Sequence, residues 1–221
     1  MTAVKVLHLV HKSSELEWSD FVERWIASHS ALARTLPGLQ GLAFNVASIE
    51  QRGARPFDGY AVWRFNTPEE SNRAWESEAG RAIADDEDLF SVRPSVLTVA
   101  ESVVVASQSS PTKIIYLVEK LPQLSWRDFV THWTTVHAEL AKEMPGLVGY
   151  SINLADSESN DPRPFDGYAM LRFQSRADAK AAWETVAGKA TAADGANFMK
   201  RPDGLMVDER IVIGWVDGDP R

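Results

Sequence analysis

The chain has 221 residues, with 23 Lys and Arg against 31 Asp and Glu, and a formal net charge of −8 at pH 7. This balance disfavours a nucleic-acid or membrane-surface partner, because both present negative charge. The chain has no cysteine, which excludes disulfides and thiolate sites, and its sequence contains no long apolar run that would predict a signal peptide or a membrane span. We therefore expect a cytoplasmic protein.

The two halves of the chain repeat one another at a spacing of 108 residues. The segment Arg55–Ala61 recurs letter for letter as Arg163–Ala169, and many flanking aromatic positions also match. A small polar stretch of Ser, Gln and Pro joins the halves. This pattern predicts a tandem duplication with a first repeat at 1–106, a linker at 107–112 and a second repeat at 113–221.

Each repeat predicts the same order of elements, strand, helix, strand, strand, helix, strand. In the first repeat the segments are Val4–His11, Trp18–Leu36, Gly41–Ile49, Phe57–Phe65, Thr67–Gly80 and Ser95–Ala106. The second repeat shows the same pattern, shifted by 108 residues. The order β-α-β-β-α-β implies an α+β fold in which both helices of a half cover one face of an antiparallel sheet. We expect two such ferredoxin-like halves to close into one intramolecular α+β barrel.

A histidine interrupts the apolar face of the first helix in each repeat. Residues Phe21, Trp25, His29, Leu32 and Leu36 share one face at helical spacing, and their counterparts are Phe129, Trp133, His137, Leu140 and Met144. A buried imidazole is costly unless it is paired or used. His29 and His137 are therefore candidate general acids or bases. The alternative is a core histidine that is satisfied by one hydrogen bond.

The repeated Asp-Gly-Tyr opening the third strand supplies the next candidates. Asp58 and Asp166 would orient the histidine or a substrate hydroxyl, although turn chemistry or an Arg salt bridge explains them equally simply. Tyr60 and Tyr168 would donate to a developing oxyanion. Alternatively, each is an amphipathic aromatic on a half-buried face.

The first strand differs between the repeats at ionisable positions, with His8 aligned to Tyr116 and His11 to Glu119. This difference suggests that the two sites are not equivalent and that only one of them turns over. The alternative is ordinary drift at exposed strand positions, which is the simpler explanation for His11. We predict that His8, Tyr116, Trp25 and Trp133 contact the substrate. His8 and His11 would point to opposite strand faces, so no metal site is expected. The acidic run 85–88 is interpreted as a solvated loop.

The spaced motifs resemble the EthD family of the dimeric α+β barrel superfamily. They are the Phe-x-x-x-Trp-x-x-x-His helix, the Pro-Gly-Leu after it, Phe-Asp-Gly-Tyr, a late Phe, and a Glu near each last strand (Glu101, Glu209). Many members carry a Pro two residues after the helix histidine, where this chain has Ala31 and Glu139. The resemblance implies a small-molecule pocket between sheet and helices, and chemistry that is often cofactor-free.

We expect a cofactor-free enzyme of lyase type acting by acid–base catalysis on an aromatic or largely apolar small molecule. The alternatives are a cofactor-independent monooxygenase of a phenolic substrate and a non-catalytic binding protein for a hydrophobic metabolite. Haem binding, known in relatives of the superfamily, is a lesser option. The chain is expected to be a monomeric pseudo-dimer or a homodimer of it.

Overall fold

A computed structural model describes residues 3–48, 55–92, 95–107, 112–155, 163, 165–200 and 202–214. Most of the predicted linker, residues 108–111, lies outside the described residues. None of the helices in the described ranges has the length and apolarity needed to cross a membrane.

The first repeat forms four strands and a set of short helices. Its elements are β1 (Val4–Val10), α1 (Trp18–Glu23), a π-helical segment (Arg24–His29), α2 (Ser30–Ala33), β2 (Gly41–Ala47), β3 (Gly59–Phe65), α3 (Pro68–Glu76), α4 (Glu78–Glu87) and β4 (Ser95–Val105). The segments α1 to α2 follow one another directly, so 18–33 is one helix with a π-helical middle. A π-helical turn is rare and is often found at functional sites.

The second repeat has the same elements in the same order. They are β5 (Thr112–Val118), α5 (Trp126–His132), a π-helical segment (Trp133–His137), α6 (Ala138–Lys142), β6 (Leu147–Ala155), β7 (Gly167–Phe173), α7 (Arg176–Ala182), α8 (Val186–Gly195) and β8 (Asp203–Ile213). Ser125 caps α5 by accepting a hydrogen bond from the backbone N–H of Asp128, at 3.1 Å. Pro145 and Gly146 follow α6, and Gly146 adopts φ +76°, which favours glycine.

The strand pairs are antiparallel and confirm the α+β class. In the first repeat β1 lies between β3 and β4, and β2 pairs with β3. In the second repeat β5 lies between β7 and β8, and β6 pairs with β7. Hydrogen-bonded neighbours thus follow the order β4-β1-β3-β2 in the first repeat and β8-β5-β7-β6 in the second.

The chain divides into two compact units, and the division falls inside two long strands. One unit comprises Met1–Ala100 with Asp208–Trp215, and the other Glu101–Val207 with Val216–Arg221. Each unit has its own apolar core between sheet and helices, around Trp25 in the first and Trp133 in the second. The repeat boundaries at 106 and 113 stay a prediction about the sequence.

The second helical region of each repeat differs from the prediction. The segment 67–80 was expected to be one helix, but Ser77 is extended and separates α3 from α4. Its hydroxyl accepts a hydrogen bond from the backbone N–H of Gly80, so Ser77 begins a new helix. The acidic run was expected to lie in a solvated loop. This expectation was wrong for Asp85–Glu87, which form the last turn of α4, with Glu87 buried.

Candidate functional site

The site is built on the histidine that ends the π-helical segment of the second repeat. His137 lies on the same buried helix face as Phe129 and Trp133, as the periodicity predicts. Only 8% of the residue is exposed to solvent. The helix therefore fixes the imidazole in the apolar core, where a polar group needs a partner.

Asp194, in the last turn of α8, supplies that partner. His137 Nδ1 lies 2.9 Å from Asp194 Oδ2. The same carboxylate accepts a hydrogen bond from the Asn197 side chain at 3.1 Å and contacts His132 Nε2 at 3.0 Å. Because Nδ1 is held by a carboxylate, the Nδ1–H tautomer is favoured and Nε2 is left as the basic nitrogen.

The electrostatics favour a neutral base beside an ionised carboxylate. Burial lowers the pKa of His137, against the opposing effect of its hydrogen bond to Asp194. Burial would raise the pKa of Asp194, but hydrogen bonds from Asn197, His137 and His132 outweigh it and hold that pKa below its usual value. At neutral pH, His137 can therefore accept a proton.

His137 opens onto a cavity of about 690 Å³ within the second unit. The walls are mostly apolar, with Leu171 on the sheet and Gly195 and Ala192 on the helix side. At the rim, Lys200 forms an ion pair with Glu119, and both side chains are about half exposed. The volume suits a small organic molecule.

Two tyrosines line this cavity, Tyr150 buried and Tyr116 partly buried, and each accepts a hydrogen bond from an indole. The N–H of Trp133 donates to Tyr150 Oη at 3.2 Å, and Trp183 donates to Tyr116. Burial raises the pKa of Tyr116 to about 12 and raises that of Tyr150 further above its usual value. Both phenols are therefore protonated at neutral pH and can donate to an oxygen of a bound molecule.

The first repeat has the same histidine–carboxylate pair, but it is enclosed. His29 Nδ1 lies 2.9 Å from Asp86 Oδ2, and Arg24 donates to the other oxygen of Asp86 at 2.8 Å. The His29 ring is packed against Phe90 and Trp63, with ring centroids 5.0 and 6.2 Å away, and it is 1% exposed. Burial lowers the pKa of His29, again opposed by its hydrogen bond to the carboxylate.

The two aspartates proposed to orient the histidines have other contacts. Asp166 accepts a hydrogen bond from the backbone N–H of Lys120 at 2.8 Å and pairs with Arg163 at 3.0 Å. Asp58 accepts the equivalent bond from Lys12 at 2.9 Å and lies 3.6 Å from Arg55. The carboxylates that contact the histidines are those of Asp194 and Asp86. The pairing of Asp166 with Arg163 agrees with the salt-bridge alternative given for the repeated aspartates.

Other residues of that repeated loop also make structural contacts, in this case with tryptophan rings. Arg55 and Arg163 stack over the rings of Trp18 and Trp126, 4.4 and 4.8 Å from the ring centroids. A Cβ on Gly59 would lie 2.5 Å from the Trp25 ring, so this position requires glycine. Packing thus explains why the arginine and the glycine of this loop are the same in both repeats.

Tyr60 and Tyr168 lie on the other face of the sheet from the histidines. In β7, Ala169 and Leu171 line the cavity, and side chains alternate along a strand, so Tyr168 points away from it. Tyr60 is buried and packs against Phe57, with ring centroids 6.3 Å apart. Of the residues predicted for the site, the structure brings His137, Trp133 and Tyr116 to one cavity wall. His8 and Trp25 are buried among aromatic rings of the first repeat.

Sequence reasoning missed four residues of the site, Asp86, Asp194, His132 and Tyr150. A signal for the aspartates was present in the repeat. Within the run 85–88, only Asp86 has an acidic counterpart at a spacing of 108, since positions 193, 195 and 196 are Ala, Gly and Ala. The same alignment gives no signal for Tyr150, whose counterpart is Leu42.

Comparisons with known proteins agree with this architecture. The EthD domain family matches residues 121–202. An uncharacterized 11.0 kDa protein in the thcB-thcC intergenic region of Rhodococcus erythropolis is 31% identical over 70 residues, 32% of this chain and 68% of that protein.

Two solved structures are similar in fold. An anthrone oxidase-like protein aligns with a TM-score of 0.70 at 11% identity, over 96% of this chain and 94% of that chain. A monooxygenase-like protein from Fusobacterium nucleatum aligns with a TM-score of 0.63 at 10% identity, over 95% and 93% of the respective chains. From the domain match over residues 121–202 and the Rhodococcus relative, we conclude that the chain belongs to the EthD family.

Proposed function

We propose that the second repeat is a cofactor-free enzyme that removes a proton from an aromatic or largely apolar small molecule, with a lyase-type outcome. The observation that carries this proposal is the His137–Asp194 pair on the wall of an apolar cavity of about 690 Å³. A neutral imidazole held by an ionised carboxylate is the arrangement that a general base requires.

The cavity also supplies a means of stabilising the product of proton removal. A C–H bond next to a carbonyl loses its proton to Nε2 of His137, and the electron pair moves to the carbonyl oxygen as an enolate. The hydroxyl of Tyr150 or Tyr116 donates to that oxygen, and such donors act strongly in a site with little water. In a dehydration, the substrate also carries a hydroxyl on the β-carbon: the enolate re-forms the carbonyl, the Cα=Cβ bond forms, the Cβ–O bond breaks, and the leaving hydroxide takes the proton from His137 as water.

Cofactor-independent oxygenation is the second candidate, because it begins with the same step. A phenolate or enolate held in an apolar cavity is electron-rich and can react with O₂. The fold likeness to an anthrone oxidase-like protein supports a test of this chemistry. The two candidates differ in whether turnover consumes O₂.

Deuterium exchange into a carbon acid tests the shared first step without knowledge of the natural substrate. We suggest 2-tetralone in D₂O, with loss of the α-proton signals followed by NMR at pH 7. The wild type should exchange these protons well above the buffer rate. His137→Gln should lower the enzyme-dependent rate about 10²–10⁴-fold, the usual contribution of a general base.

His29→Gln is the matched control, because it removes the same group from the enclosed copy. It should leave the exchange rate within about twofold of wild type, provided that its melting curve shows a folded protein. Equal losses in the two variants, or 2-tetralone that binds without any exchange, would refute proton removal by His137. The latter result would favour a binding protein. An oxygen electrode, used with hydroxylated aryl ketones and with anthrone, then separates the lyase from the oxygenase.

A further inference from the structure

The residues that line the cavity in the second repeat have counterparts in the first repeat that contact one another. His8 stacks on Trp75 with centroids 4.9 Å apart and lies 5.6 Å from Trp63. The rings of Trp63 and Trp75 are 5.0 Å apart. The corresponding positions in the second repeat are Tyr116, Leu171 and Trp183, which line open space. Tyr116 and Trp183 also contact each other, with ring centroids 5.7 Å apart, so the difference between the repeats lies in the third ring, Trp63, where the second repeat has the smaller Leu171 at the cavity.

A buried carboxylate completes this contact. Glu87 follows Asp86 in α4, and its Oε2 lies 3.3 Å from His8 Nδ1 with both residues buried. The counterpart of Glu87 is Gly195, which has no side chain and lies in the cavity wall. In each repeat, the helix that carries the aspartate in contact with the histidine therefore also carries, as the next residue, the position that differs between the repeats, Glu87 in α4 and Gly195 in α8.

The first repeat also differs in the groups that would hold a ligand oxygen. Leu42 and His8 stand at the positions of Tyr150 and Tyr116. The indole N–H groups of Trp25 and Trp75 have no hydrogen-bond acceptor among the described residues, whereas their counterparts Trp133 and Trp183 donate to tyrosines. The first repeat thus has the histidine and its carboxylate, but Leu42 and His8 stand where the second repeat has two phenols.

We infer that the first repeat is a closed copy of the site, in which Trp63, Glu87 and His8 occupy the place of the ligand. Each chain then has one ligand site, in the second repeat, and positions 63/171, 87/195 and 8/116 determine which copy is open. This inference rests on the proposed function only in locating the ligand at the cavity. It concerns binding, so it stands even if no proton is removed.

Xenon provides a test that needs no knowledge of the substrate, because it enters accessible apolar cavities. Crystals of the wild-type chain, pressurised with xenon, should show anomalous density beside His137 and none beside His29. Density beside both histidines would overturn the inference, because the first repeat would then be open. Density beside neither would overturn it as well, because the second repeat would then not be an open copy.

Exchanging the residues at these three positions between the repeats tests whether they determine which copy of the site is open. The variant Tyr116→His/Leu171→Trp/Gly195→Glu copies the closed set into the second repeat and should abolish binding of 1-naphthol measured by calorimetry. The reverse variant, His8→Tyr/Trp63→Leu/Glu87→Gly, should raise the stoichiometry from one to two per chain. A folded first variant that still binds one 1-naphthol would refute the closed copy. If an exchanged variant does not fold, the xenon experiment on the wild type still shows which copy of the site is open.

Discussion

At the scale of single residues, the site depends on a carboxylate that touches no ligand. Asp194 holds Nδ1 of His137, so its role is to position the imidazole and select its tautomer. It also opposes the effect of burial on the pKa of His137. A positioning role of this kind should be visible in a pH profile as well as in a rate.

We expect Asp194→Asn to lower the rate of 2-tetralone exchange by about 10²-fold or more, because the base loses its orientation. The wild-type rate should fall on the acid side with a midpoint below 6.5, the ordinary value for histidine, since burial lowers the pKa. In the variant, that midpoint should move to still lower pH, because the carboxylate no longer raises the pKa. The profile is measured by NMR between pH 4.5 and 8.

Asp86→Asn serves as the control, since Asp86 holds the enclosed histidine of the first repeat. Its profile should overlay that of the wild type. A parallel loss of rate in Asp194→Asn with no change of midpoint would argue against electrostatic coupling between Asp194 and His137.

The Tyr150 hydroxyl gives a second prediction at this scale. Tyr150→Phe should weaken 1-naphthol binding roughly 2–10-fold, the value of one neutral hydrogen bond, and leave naphthalene binding unchanged. It also leaves the buried N–H of Trp133 without its acceptor, at a cost of about 1–3 kcal/mol in the free energy of unfolding. Calorimetric titration and urea unfolding measure the two effects.

Tyr168→Phe removes a hydroxyl from the opposite face of the same sheet. Its affinity for 1-naphthol should equal that of the wild type. An equal loss of affinity in both variants would mean that the tyrosine hydroxyls affect binding through the protein structure and not by a hydrogen bond to the ligand.

At the scale of elements, the close packing of the first helix on the third strand depends on a glycine. Gly59→Ala brings a Cβ to 2.5 Å from the Trp25 ring and 2.6 Å from the backbone oxygen of Asn45. Overpacking of this kind costs about 1–3 kcal/mol, which for a chain of this size lowers Tm by roughly 2–12 °C. Gly214→Ala should shift Tm by less than about 1 °C in the same calorimetric scan, because no atom of the described residues beyond its chain neighbours lies within 4 Å of the added Cβ. A Gly59→Ala protein as stable as Gly214→Ala would contradict this account.

The elements also show how far the sequence predicts the site. The strands, the first helix and the buried face of His137 follow from apolar periodicity, which depends only on neighbours along the chain. Asp194 lies 57 residues from His137, on another helix, and such a contact is set by packing rather than by local pattern. The loop around Asp58 and Asp166 is identical in the two repeats, but identity alone does not distinguish a functional residue from a structural one. Here the glycine and arginine of the loop make structural contacts.

At the scale of the whole molecule, His29 and His137 link stability to pH. Burial lowers the pKa of both His29 and His137, so the unfolded chain binds more protons than the folded chain below about pH 6.5. Stability should therefore be fully present above that pH and fall as the pH decreases towards the folded pKa values. The slope is at most about 1.4 kcal/mol per pH unit for each histidine.

Urea unfolding at pH 7.5, 6.5 and 5.5 measures this dependence. The double variant His29→Gln/His137→Gln should show a smaller loss of stability between pH 7.5 and 5.5 than the wild type. A wild-type chain that becomes more stable over this interval would contradict the lowered pKa values.

The tyrosine–indole pairs in the cavity have a practical consequence for the search for a substrate. Trp133 and Trp183 both face the cavity and donate to the hydroxyls that would meet a ligand oxygen. A molecule that accepts hydrogen bonds from those hydroxyls changes the polarity around the two indoles. The wavelength or intensity of their fluorescence emission should therefore change on binding. The protein thus carries its own optical reporter, and unlabelled metabolite mixtures can be screened against it directly.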